Sequence, residues 1–257
     1  IGLFDTVAAI IAPLKGNFSA ANADFDGLRL GLHPGLARHA VHLVAADEQR
    51  LNFPLVATAD DLLLPGDHCD IGGGHRDEVE EYLVLERPFS SVEWAHVALE
   101  RSRAWQLASQ CLERQGAEWQ ALGLDVRLDS QSIDQPFVPG RDIQREKRVR
   151  VWIRGTRRVR GELSRVYLQL MHERAVAAGV PLAAVDWQVP GELQGIAVKL
   201  LAGQGLEAEE MVLLRRRYIH RSANWNADWC SDSPLLDSLF INRPTADGVR
   251  VVHSIVG

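Results

Sequence analysis

Gly66-Asp67-His68-Cys69-Asp70-Ile71-Gly72-Gly73-Gly74 is the stretch on which the reading of this chain turns. It follows the apolar run Leu62-Leu63-Leu64 by one short turn. A strand, then a loop presenting histidine, then glycines is the local order that a general base needs. Histidine suits that role because imidazole titrates near neutrality. Three successive glycines admit backbone angles closed to other residues and let a second segment or a ligand come close. On this reading His68 is the base, and Asp70, Gly72 and Gly73 support its loop.

Upstream, two more apolar runs end in polar residues. Ile1-Gly2-Leu3-Phe4 ends in Asp5-Thr6, and Ala40-Val41-His42-Leu43-Val44-Ala45 ends in Asp47-Glu48-Gln49-Arg50. Short apolar runs with polar ends fit the buried strands of a parallel sheet, and open α/β sheets bind ligands at the carboxyl ends of their strands. The fold class expected is therefore α/β. Asp5 and Asp47 both lie at strand ends before His68, and either could fix the imidazole tautomer; spacing alone leaves both open. No G-x-S-x-G motif occurs, and Ser19 in Gly16-Asn17-Phe18-Ser19-Ala20 lacks its spacing. Ile1 to Phe4 reads as a strand already in progress. The chain is therefore expected to be the later part of a longer polypeptide, with the nucleophile upstream.

Downstream, Thr6 to Leu14 is expected to begin a helix, and residues 16–36 read as loop. Ser90-Ser91-Val92-Glu93 has capping-box spacing and predicts a helix to about Glu113, with Trp94, Val97, Ala98, Trp105, Ala108 and Leu112 on one stripe. That stripe is either a packed face or a lipid-facing cap. Residues 123–142 read as a loop or insertion, and Arg148 to Arg154 as a strand. Helices are expected over Glu162 to Ala178, Glu192 to Ala202 and Glu207 to Arg217, and a terminal strand over Val249 to His253. Arg145, Lys147, Arg148 and Arg150 belong to a basic run that is either a solvated face or a contact for anionic headgroups. Three segments are expected: 1–88 carrying acid and base, 89–160 as a helical and basic insertion or cap, and 161–257 packing on the core.

Hydrophobic residues make up 46% of the 257 positions and charged residues 24%, the balance of a globular chain. The net charge of −6 argues against nucleic acid as main partner. Cys69, Cys111 and Cys230 have neither disulfide-framework nor zinc spacing. No apolar run is long enough to span a bilayer, and no signal peptide is visible. Asp67, His68, Asp70, His75 and Asp77 lie close together, so a metal-dependent hydrolase is a further alternative, although H-E-x-x-H and EF-hand spacings are absent. No cofactor is expected, with Asp70 as a residue that could bind structural Ca²⁺ or steady the loop by hydrogen bonding. The glycine run lacks the Lys and Ser/Thr of a phosphate-binding loop.

Three ordered motifs then carry a resemblance. Gly2-Leu3-Phe4-Asp5-Thr6-Val7, His39-Ala40-Val41 through Asp47-Glu48-Gln49-Arg50, and Leu64-Pro65 through Gly74 together resemble the bacterial α/β-hydrolase family that includes the type VI secretion lipase effectors. Glu162 to Ala175 and Arg217 to Ala223 also look similar. The chain resembles the C-terminal half of such a protein: the last strands of an α/β-hydrolase sheet with a mainly helical cap or insertion. The resemblance implies a serine esterase acting on phospholipid, with Asp5 as acid and His68 as base, in the chain order Ser, acid, His. It implies that Asp47, Glu48 and Arg50 tie strand ends together. It implies a membrane substrate, an immunity protein, a secretion-spike partner, and action at the periplasmic side of target-cell membranes. Asp67 stands where the family commonly has an apolar residue, and His75 where it commonly has Tyr. The alternative is a membrane- or partner-binding module of such an effector.

Overall fold

The computed structural model describes residues 1–8, 31, 35–137, 139, 143–225 and 242–254. In chain order the elements begin with β1 (Gly2–Phe4), β2 (Val41–Ala45), β3 (Leu55–Ala57), β4 (Asp61–Leu64), α1 (His68–Gly72), β5 (Glu78–Val84) and β6 (Phe89–Trp94). They continue with α2 (Arg103–Ala121), β7 (Asp125–Asp134), β8 (Glu146–Arg160), α3 (Leu163–Ala177), α4 (Gly191–Leu201), α5 (Ala208–Arg217) and β9 (Val252–Ser254). The chain divides into two compact units, residues 1–80 with 158–223 and 241–257, and residues 81–157 with 224–240.

In the first unit β1, β2 and β4 form a parallel sheet in that order. Leu43 pairs with Phe4 on one side and with Leu62 on the other. As the middle strand, β2 has ladder partners on both edges, and its residues His42 to Ala45 are all buried. Leu163, Val166, Tyr167 and Leu170 recur at helical spacing along α3 and pack with Leu43, Ala45 and Leu64 into one core. Leu193, Ile196 and Leu200 of α4 and Leu214 of α5 complete it. Each such side chain contributes about 1.5–3 kcal/mol on burial. Because β1, β2 and β4 run parallel, the segments that follow them, with Asp5, Asp47 and Pro65-Gly66, leave the sheet at one edge.

A second small sheet ties down the two ends of the chain. β3 pairs in parallel with β9, Leu55 opposite Val252, and Val7 bridges to Leu55 from the other side. Thr6 to Ala8 are thus backbone-bonded to β3, with Val56 N donating to Thr6 O and Ala8 N to Pro54 O. The remainder of the helix expected from Thr6 lies outside the described residues.

The second unit is built on β8. β7 runs antiparallel along one edge over Asp125 to Asp134, and β6 also pairs antiparallel, Phe89 opposite Val151. The alternation of β8 buries Val149, Val151 and Ile153, and α2 covers this face with Ala104, Ala108, Cys111 and Trp119. Arg157 shares that buried face and is neutralised by Glu81 at 2.7 Å.

Three expectations fail in this region. Residues 89–94 are strand, and the helix begins at Arg103. Residues 125–134 are an edge strand, not a loop. Residues 89–160, expected as a mainly helical cap or insertion, carry three strands and more strand than helix. Of the capping pair Ser90 and Glu93, Glu93 does cap, but at a distance, and Ser91 rather than Ser90 caps beside it. Glu93 Oε1 accepts from Arg103 N at 2.8 Å, and Ser91 Oγ accepts from Ala104 N at 3.1 Å. Ser102 Oγ takes the next donor, Trp105 N. Three first-turn N–H groups of α2 are satisfied in this way, two of them from a strand. Glu93→Ala is expected to lower stability by about 1 kcal/mol in urea unfolding, the cost of an N-cap; an unchanged midpoint would refute the role.

Candidate active site

His68 is fixed by its backbone before its side chain is considered. Tyr167 of α3 donates its hydroxyl hydrogen bond to Pro65 O. Gly66 has φ +128, and a Cβ there would lie 2.8 Å from Asp70 Cβ, so only glycine fits. Gly66 N donates to Asp47 Oδ2 at 2.8 Å, tying the end of β4 to the end of β2. Asp67 is the N-cap of α1: its Oδ1 accepts from Asp70 N at 2.7 Å, while Asp70 Oδ2 accepts from Asp67 N at 3.0 Å. His68 therefore opens a short helix rather than sitting in a loop. Gly73 closes that helix at φ +79. Gly72 is an ordinary helical residue whose Cβ would meet open space.

Glu48 holds the same backbone from below. His68 N donates to Glu48 Oε2 at 3.3 Å. The buried carboxylate also accepts from Arg50 N, Arg50 Nε and Arg50 Nη2 at 2.8–3.0 Å and from Ser222 Oγ at 3.0 Å. Arg50 in turn stacks over the Phe53 ring at 3.3 Å, and Phe53 meets the His68 ring edge-on at 5.0 Å.

Of the two acids left open by spacing, the structure brings Asp5 to His68. Asp5 Oδ2 lies 2.8 Å from His68 Nδ1. The Asp5 side chain is fully buried, whereas that of His68 is 27% exposed. Asp5 has φ +44, a left-handed conformation that Asp tolerates better than most residues. Its Oδ1 accepts from Ala45 N at 2.8 Å. Arg250 grips both oxygens, Nη1 on Oδ1 at 2.6 Å and Nη2 on Oδ2 at 2.8 Å. Burial alone would push the Asp5 carboxyl up. The hydrogen bonds from His68 and Arg250, the Arg250 charge and the Ala45 N–H outweigh it and hold the carboxyl at about 2. Asp5 is thus a carboxylate throughout the neutral range, aimed at one nitrogen of a partly exposed imidazole. Such a pair can fix the tautomer that leaves the other ring nitrogen as a proton acceptor.

A second cluster lies behind α1. His220 Nδ1 meets Asp70 Oδ1 at 2.7 Å, and His220 N donates to Asp70 Oδ2 at 2.9 Å. His75 Nε2 lies 3.1 Å from Asp67 Oδ1, and the two imidazoles stack at 3.5 Å. Asp67 and His75, the two departures from the family pattern, are therefore partners of each other. Burial pushes both carboxyls up; the His75 hydrogen bond and charge bring Asp67 below the usual range, while Asp67's own charge adds to burial and raises Asp70 well above it. Asp70, His75 and His220 can each offer a ligand atom within 4.8 Å of the others, so these are the residues that could hold a metal ion. Two imidazoles and a carboxylate suit a transition ion better than Ca²⁺. The donors are, however, already engaged within the cluster and by Asp67, and the cluster ties His220 to the histidine helix.

The basic run does not form one patch. Arg148 and Arg150 share one face of β8, while Lys147 falls on the opposite face and donates to Val97 O at 2.7 Å. Arg145 lies over Phe137 at 5.7 Å. Cys69, next to His68, is no thiolate nucleophile: burial, then the Asp67 charge, pushes its thiol up. Sequence reasoning missed Arg250, Phe53 and His220 as parts of this neighbourhood. The signal for Arg250 was a charge inside the apolar run Val249-Arg250-Val251-Val252, since a charge among strand-forming apolar residues needs a partner.

No family model matches the chain, and no curated protein does. Among solved structures the chain is similar to the Tle1 effector bound to the VgrG spike of the type 6 secretion system, at 25% identity with a TM-score of 0.79. The match covers 99% of this chain and 57% of the effector, so the chain spans a little over half the length of the protein it resembles. No described helix is long and apolar enough to cross a membrane.

Proposed function

We propose that this chain supplies the acid and base of a serine ester hydrolase with an α/β-hydrolase core, acting on phospholipid as a type VI secretion effector. The observation that carries the reading is the Asp5–His68 pair: a buried carboxylate 2.8 Å from Nδ1 of an imidazole that remains partly open to solvent. Support comes from the likeness to a type 6 effector and from the ordered motifs around both residues. The nucleophilic serine belongs to polypeptide outside these 257 residues, since no G-x-S-x-G motif occurs here and the chain matches only 57% of the similar effector.

In this mechanism His68 Nε2 takes the serine proton as the hydroxyl attacks the ester carbonyl, and returns it to the leaving alcohol. Asp5 holds the Nδ1–H and stabilises the imidazolium as it forms. Backbone N–H groups beside the serine hold the oxyanion. The expected setting is the periplasmic side of target membranes, with an immunity protein and a spike protein as partners. A second reading, a partner-binding module, is favoured by one observation: the similar effector was solved bound to its spike.

The test uses the full polypeptide that carries the nucleophile. An organophosphonate ester probe is expected to label one serine and stop hydrolysis, and EDTA is expected to leave turnover within about twofold. His68→Ala is expected to slow labelling by more than about 100-fold. Loss of turnover on chelation would favour the metal reading, and labelling unaffected by His68→Ala would sink the assignment of His68 as base.

A further inference from the structure

Arg250 lies two residues before β9, and the ladder of β9 with β3 places it beside Asp5. Its guanidinium is nearly spent. Nε donates to Phe53 O at 2.9 Å, Nη1 to Asp5 Oδ1 at 2.6 Å and to Ala45 O at 3.4 Å, and Nη2 to Asp5 Oδ2 at 2.8 Å. The side chain is 8% exposed and that of Asp5 fully buried. A two-pronged contact of this kind fixes the plane of a carboxylate as well as its position, which a point charge on a lysine cannot do. The Asp5 backbone is at φ +44, off the usual regions, so some contact must hold it there. Besides His68, the Ala45 N–H on Oδ1 and the Arg250 fork on both oxygens are the contacts that do so.

We infer that Arg250 is a positioning residue, acting through Asp5: it sets the plane of the carboxylate against His68 Nδ1 and offsets part of its charge. The inference rests on the reading of Asp5 and His68 as acid and base. The partial neutralisation has a defined chemical use. A bare buried carboxylate holds a neighbouring imidazolium strongly, and a base already protonated cannot accept a proton from serine. With Arg250 on both oxygens, Oδ2 shared with His68 Nδ1, Asp5 still orients the ring while part of its charge is offset. Arg250 also secures Asp5 itself. Without the guanidinium burial is opposed only by the hydrogen bonds of His68 and Ala45, so the carboxyl rises from about 2 toward its ordinary 3.8. The sign is then fixed. A lowered carboxyl contributes stability above its unfolded value and loses it as pH falls toward 2, so removing Arg250 narrows the gap and shrinks that contribution throughout the neutral range.

The experiment has two arms. In the first, the Asp5 carboxyl ¹³C signal, assigned by its absence in Asp5→Asn, is followed with pH in the 257-residue chain. Wild-type Asp5 is expected to stay ionised down to pH 3, and Arg250→Gln to take up its proton above pH 3. Arg250→Lys, which keeps the charge without the fork, is expected to fall between and carries the arm where Arg250→Gln does not fold. In the second arm, hydrolysis of a soluble ester is measured against pH in the full polypeptide. Arg250→Gln is expected to lower kcat about tenfold or more with KM within about twofold, and to move the acid limb up by about one pH unit, with Arg250→Lys restoring the limb but not all of kcat. A carboxyl that titrates alike in wild type and Arg250→Gln overturns the inference. So does a uniform loss of activity at all pH values with an unmoved limb, which marks a merely structural role. Absence of ester hydrolysis in the wild type counts against the proposed function and leaves the first arm to judge Arg250.

Discussion

Asp5→Asn is expected to lower ester hydrolysis by about 10,000-fold in the full polypeptide. Asparagine is the informative replacement because it tolerates the left-handed backbone at φ +44, where alanine would add strain. Its carboxamide has the shape of the carboxylate but can turn an NH₂ group toward His68 Nδ1. The ring must then carry its proton on Nε2, the nitrogen that would otherwise accept from serine. Arg250 loses its charged partner in the same variant, so the unfolding midpoint is expected to fall as well, and circular dichroism must show the chain folded at the assay temperature. Combining Asp5→Asn with His68→Ala is expected to cost little beyond the larger single loss, because residues acting as one unit do not add. A folded Asp5→Asn protein retaining more than a tenth of wild-type turnover would remove Asp5 from the mechanism.

The largest effect on stability is expected from Glu48→Ala, at about 3 kcal/mol or more. Glu48 accepts from the backbone of Arg50 and His68, from the Arg50 side chain and from Ser222. Removing it leaves the Arg50 guanidinium buried without its carboxylate, and breaking a buried pair in this way costs about 3–5 kcal/mol. Glu48→Gln keeps the shape and one acceptor oxygen and is expected to lose roughly half as much. Chemical denaturation followed by far-UV circular dichroism gives the comparison; a loss below about 1 kcal/mol for Glu48→Ala would show that solvent or neighbours replace its bonds.

The sheet and helices of the first unit were legible because their residues bury one periodic face. Gly2–Phe4, Val41–Ala45 and Asp61–Leu64 are short apolar runs, and Leu163, Val166, Tyr167 and Leu170 mark a helix by spacing alone. The second unit was misread for two physical reasons. The spacing of Ser90 and Glu93 reads as a local capping box, but Glu93 and Ser91 satisfy N–H groups of a helix that begins ten residues after Glu93. The edge strand Asp125–Asp134 is polar and largely exposed, and it is held by its backbone ladder to β8, which requires no apolar alternation. At the candidate site the strand-end acid and the histidine were both visible; spacing left Asp5 and Asp47 open, and the resemblance implied Asp5. Only the geometry shows Asp47 engaged with Gly66 N and Asp5 with His68. The apolar run around Arg250 shows that it needs a partner, but which partner it and His220 take is out of reach, because each acts on a residue 150 or more positions away.

The distance between Asp5 and Arg250 also orders events in time. They are 245 residues apart, so a ribosome adding about 5–20 residues per second makes Asp5 roughly 12 to 50 seconds before Arg250. During that interval β3 has no β9 to pair with, and the Asp5 carboxyl has no counter-ion. A nascent chain therefore carries the strand ends and the histidine helix well before it can complete the acid. Of the two partners Arg250 is the later made, so the buried Asp5 carboxylate gains its two-pronged counter-ion only after the 245 positions between them have been spanned.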